Sequence, residues 1–87
     1  MPDNEPTTAK TERLTAARHA IAAEVRAEIG RQGKTGRELA ELTGLGRDGT
    51  AARLRGDMPF RAEELVLIAD VLGVSAEQFV PASVGAA

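Results

Sequence analysis

Apolar residues recur along this chain in short stripes separated by glycine. Leu14, Ala17, Ile21, Val25 and Ile29 follow one another at steps of three and four, the spacing that puts side chains on one face of a helix. The stripe predicts a first helix from about Thr11 to Gln32, weakened in its last turn by Gly30 and ended by Gly33. Thr35-Gly-Arg-Glu38 has the form of a capping box: Thr35 accepts from the third helical N–H while Glu38 reaches back. A second helix is expected to start there, carrying Leu39, Ala40 and Leu42 and stopping at Gly44. After Leu45-Gly46, Arg47 to Arg55 supplies a third short helix in spite of Gly49, and Gly56 closes it. Pro59 interrupts the chain once more. Glu63 and Glu64 then place negative charge where the macrodipole of a fourth helix favours it, and Leu65, Ile68, Ala69 and Leu72 form its buried stripe. Gly73 with Val74 closes that helix, and Ser75-Ala-Glu-Gln78 is a second capping box, opening a last helix through Phe79. No segment alternates with period two, so the expected fold is all-α, with five helices.

The flanks lack this pattern. Residues 1–10, with Pro2, Asn4 and Pro6, predict a disordered N-terminal tail, residues 11–80 the helical domain, and residues 81–87 a flexible C-terminal tail. The 87 residues suffice for one modest core. No apolar run approaches the roughly 20 residues that span a bilayer, and Met1–Lys10 lacks the basic-then-apolar order of a signal peptide. Cysteine is absent, which excludes disulfides and sulfur-ligated zinc and suits a reducing cytoplasm. The chain holds one histidine, His19, two serines, Ser75 and Ser83, and no tyrosine or tryptophan. That inventory serves catalysis poorly, so no enzyme, cofactor or metal site is expected. Gly44-Leu-Gly-Arg-Asp-Gly49 spells the dinucleotide-binding fingerprint, but the run before it is helical and no strand follows.

The second and third helices together carry the functional signal. Two short helices joined by a glycine-containing turn, with small Ala40 at the fifth position of the unit, describe a helix-turn-helix. Helices that cross steeply come close near the turn, so a small side chain at Ala40 avoids a clash, and Gly44 supplies the positive φ. Here the chain resembles a known family. Glu38-Leu-Ala-Glu-Leu-Thr-Gly-Leu45, Arg53-Leu-Arg-Gly-Asp-Met-Pro-Phe60 and Glu64-Leu-Val-Leu-Ile-Ala-Asp-Val-Leu-Gly-Val-Ser75 are similar, in order and spacing, to the lambda-repressor/Cro-like domain. That domain is also called the xenobiotic-response-element family of transcriptional regulators. The resemblance covers Val25 to Phe79, and Arg-Leu-Arg-Gly followed by Pro-Phe resembles members from high-G+C bacteria and their phages.

The resemblance implies a third helix lying in the DNA major groove, with Arg47, Asp48 and Ala52 toward base edges. Arg47 there binds guanine O6 and N7 or rests on phosphate. Asp48 accepts from cytosine N4, holds Arg47, or simply answers the helix macrodipole. Phosphate contacts are expected from Lys34, Thr35, Gly36 and Arg37 around the start of the second helix, and from Arg53, Arg55 and Arg61 beyond the third. The formal net charge is −2, yet Arg31 to Arg61 holds seven basic residues against four acidic ones, the local excess expected of a phosphate-facing surface. Two departures stand out. Gly36 occupies a place where relatives often carry glutamine. Thr50 and Arg53 occupy places where many relatives carry aliphatic residues, with Ala51 and Leu54 one position later. Arg53 therefore points outward to phosphate if the helix is rotated, and lies along the core edge if it is not.

One such module neutralises few phosphates, so a homodimer on two half-sites is expected. Leu14, Ala17 and Ile21 extend the first helix's stripe. They either cover the protein's own last two helices or build a two-fold interface. The leading expectation is a cytoplasmic, nucleoid-associated regulator binding a double-stranded operator, a repressor or Cro-like phage or prophage switch, with no membrane or small-molecule partner. A protein-interaction adaptor or an antitoxin that keeps the fold is the alternative.

Overall fold

In the computed structural model, residues 4–81 are described, with side chains from residue 8 onward. They form α1 (Asn4–Arg31), α2 (Gly36–Thr43), α3 (Arg47–Arg55), α4 (Ala62–Leu72) and a 3-10 turn, Ala76–Phe79, with no strand among them. The all-helical expectation holds, and the count of five is corrected to four α-helices and one 3-10 turn. The second capping box explains the difference. Ser75 Oγ accepts from Glu77 N–H, not from Gln78, and Gln78 N–H bonds to the Ser75 carbonyl three residues back, the tighter 3-10 pattern. The Gln78 side chain crosses instead to Glu28.

Helix α1 begins at Asn4, not near Thr11, so part of the expected disordered tail is helical. Pro6 does not prevent this, because in the first turn its missing N–H has no intrahelical acceptor to lose. The remainder of the two expected tails, residues 1–3 and 82–87, lies outside the described residues. The helix ends as read, with Lys34 N–H returning to the Ile29 carbonyl at 2.8 Å across Gly33.

The core takes Val25 and Ile29 from α1, Leu39 from α2, Leu54 from α3, and Leu65, Ile68, Ala69 and Leu72 from α4, closed by Phe79. Ile21, Phe60, Val71 and Val74 pack against its edge. Leu42, read as part of the α2 stripe, is exposed. The short elements could not hold their places on propensity alone, and a few polar contacts pin their ends. Glu28 is buried near the end of α1 and accepts from Arg31 on its own helix, from Gln32 just past its end and from Gln78. Gln32 also donates to the Leu72 carbonyl at the end of α4 at 2.8 Å, so one cluster fastens α1, α4 and the 3-10 turn. Arg26 donates to the Leu54 carbonyl in the last turn of α3, where a cation also opposes the helix dipole. Among the described residues no helix is long and apolar enough to cross a membrane.

Candidate functional site

Five of the expected residues converge along α3 and the start of α2. Thr35 caps α2 as the sequence predicts. Its hydroxyl accepts from Glu38 N–H at 3.1 Å, and Glu38 Oε1 accepts from Thr35 N–H at 2.8 Å. Since Glu38 N–H is taken by the cap, the first two helical N–H groups, of Gly36 and Arg37, are the ones without an intrahelical acceptor. Helix α2 stops at Gly44, whose φ of 74° is the left-handed value required there. Its N–H closes on the Ala40 carbonyl, and Ala40 itself is buried where the turn brings the helices together. Helix α3 then starts at Arg47 with no side-chain cap on its N-terminus. Its first-turn N–H groups thus have no side-chain acceptor from a cap.

A groove of about 410 Å³ runs along α3 from its first turn to its last, beside the start of α2, and is lined by Gly36, Arg37, Arg47, Asp48, Ala51, Leu54 and Arg55. Arg37, Arg47, Asp48 and Arg55 are all exposed. Four of the expected residues from two separate elements thus share one surface with Gly36. The absence of a side chain at Gly36 has a packing reason: a Cβ there would lie 2.9 Å from Leu54 Cδ1. Glycine lets the first turn of α2 sit against α3.

Other expected residues lie elsewhere. Ala52 is half-buried and does not line the groove, whereas Ala51, read as an inner residue, is exposed and does. Thr50 and Leu54 form the inner face of α3 instead. The inner face combines Thr50 from the unrotated places with Leu54 from the rotated ones, and Arg53 takes the core-edge alternative rather than pointing outward. Its guanidinium donates to both carboxylate oxygens of Glu64, at 3.0 and 3.1 Å, with only 15% and 12% of the two side chains exposed. Glu64 also accepts from Arg61 N–H at 2.8 Å, so one carboxylate caps α4 and fastens it to α3. Burial raises its pKa, but these donors outweigh burial and hold it below the ordinary value. Arg55 pairs with Asp57 at 2.9 Å in the open, where an ion pair is weak and exchangeable. Lys34 is half-buried and Arg61 exposed beside these elements, neither of them on the groove.

Leu14 is 68% exposed, while Ala17 is half-buried and Ile21 packs against the chain's own core. The expected trio is split: Leu14 stands in the open, while half-buried Ile21 is turned largely to its own core. His19, set aside in the sequence, lies against Gly56 at the end of α3. The sequence reading missed Glu28, Arg26 and Glu64 as organisers. Glu64 carried a partial signal, an acid at the third helical position able to reach back to the N-cap N–H. Glu28 showed only its local partners Arg31 and Gln32, and its bond from Gln78, like that of Arg26 to Leu54, spans too much chain to be read. Among the described residues no three His, Asp or Glu side chains converge to hold a metal ion. No protein-family model, curated protein or solved structure matches the chain.

Proposed function

We propose that this protein is a sequence-specific double-stranded DNA-binding regulator of the lambda-repressor/Cro-like kind, using α2 and α3 as a helix-turn-helix. The observation that carries the reading is the shared groove: the uncapped start of α3 and the start of α2 open onto one surface with Arg37, Arg47 and Arg55. A duplex needs fixed cations and helix N-termini on one face, with a helix whose outward side chains reach base edges. Arg47 and Asp48 stand at the first two positions of α3 and take the base-reading role, with Ala51 beside them in place of Ala52. Arg37, Arg55 and the free N–H groups of Gly36 and Arg37 hold phosphate, with Lys34, Thr35 and Arg61 flanking. Arg53 serves by fixing α3 to α4. The protein is a binder and not a catalyst; it acts in the cytoplasm on the nucleoid as a repressor or phage-type switch, two copies to an operator.

Selection of bound sequences from random duplex DNA tests this reading. A two-fold symmetric motif is expected, with affinity falling about a thousandfold between roughly 50 and 200 mM salt for a dimer contacting about six phosphates. Recovery of no motif, with weak binding at both salts, would transfer the fold to the adaptor reading.

A further inference from the structure

Two helix faces, one on α1 and one on α4, exposed except at half-buried Arg18, carry matching patterns of opposite sign. On α1, Lys10, Leu14 and Arg18 stand four residues apart, so they share one face. The stripe there continues beyond Ala22, the first fully buried residue of the helix. Leu14 has left its own core behind, and basic residues bracket it. On α4, Val66 and Leu67 are 60% and 36% exposed, on the side opposite the buried Leu65, Ile68, Ala69 and Leu72. Glu63 and Asp70 stand at the two ends of that aliphatic pair. Among the described residues none of these four charged groups makes an ion pair.

The spacings agree. Eight residues separate Lys10 from Arg18, about 12 Å along a helix, and seven separate Glu63 from Asp70, about 10.5 Å. We propose that α1 residues 10–18 of one copy dock on the outer face of α4 of a second copy, Leu14 against Val66 and Leu67, with a basic residue over each acid. The two contacts exchange reciprocally, giving a closed two-fold dimer. Pairing of like faces is disfavoured on the same grounds. Two α4 faces would oppose Glu63 and Asp70 to one another, and two α1 faces would oppose Lys10 and Arg18. The divided trio fits this contact: Ile21 packs against the edge of its own core, and Leu14 reaches the partner.

Charge exchange tests it without DNA, so its outcome is separate from that of the selection experiment. Three chains are followed by sedimentation over the micromolar to millimolar range: the wild type, E63K/D70K and K10E/R18E. All four positions lie outside the core, and helical circular dichroism checks that each variant folds. The wild type is expected to dimerise and each variant alone to lose association at least tenfold. An equimolar mixture of the two variants should dimerise again, since both contacts then regain opposite charges. A monomeric wild type, a variant that still self-associates as the wild type does, or a mixture that stays monomeric would each overturn the proposal.

Discussion

Gly56 is the residue where backbone and packing demands meet most closely. Its φ is 84°, a conformation costing an L-residue roughly 1–2 kcal/mol, and a Cβ there would overlap the His19 ring. Gly56→Ala is expected to cost about 2 kcal/mol in urea unfolding, with roughly half recovered in a His19→Ala background, where only the backbone strain remains. An equal cost in both backgrounds would show that the ring moves aside freely. The sequence announced Gly56 as a helix end but was silent on His19, because that contact spans 37 positions of chain. Thr50 shows the same limit: its side chain is buried with no hydrogen-bond partner for Oγ1, which a polar residue in a polar stretch does not advertise.

At the scale of elements, two carboxylates do most of the fastening. Glu28 is held below its ordinary value of 4.5 by its hydrogen bonds from Gln32 and Arg31, with that from Gln78 adding to them and burial opposing. Glu64 is lowered by Arg61 N–H and Arg53 against the effect of burial. A carboxylate depressed in the folded state adds stability above its unfolded pKa, and that contribution is lost as pH falls through the folded value. The urea midpoint of the wild type should therefore drop between about pH 5 and pH 3, and E28Q/E64Q should start lower at neutral pH and fall less steeply on that acid limb. Parallel curves would assign the acid sensitivity to other groups. The bounds of α2, α3 and α4 were readable because caps, glycine stops and apolar spacing are local. The start of α1 and the 3-10 character of the last turn were not, since a proline in a first turn and a capping-box glutamine each admit two outcomes. For Gln78 a distant partner decided.

For the whole molecule, the arrangement of charge outweighs its sum. An acidic chain presents Arg37, Arg47 and Arg55 around one groove and keeps Glu63 and Asp70 on the outer side of α4. On the DNA-binding reading, Arg47→Ala should relax base preference at one position per half-site. Arg55→Ala should instead weaken binding to all sequences alike and flatten the salt slope by about 1. An unchanged selected motif for the first, or an unchanged slope for the second, would remove that residue from its role.

Periodicity, caps and glycine stops determined by themselves that the chain is helical, where its short helices begin and end, and which residues make most of the core. These are properties of neighbours within a turn or two, and local chemistry is enough to set them. Tertiary structure alone decided that Thr50 and not Ala51 faces inward, that Arg53 is bound by Glu64, and that Ile21 and Leu14 part company. Each of those outcomes depends on which distant surface meets a helix face, and a short helix with apolar groups on adjacent positions can turn either face toward the core until its neighbours are in place.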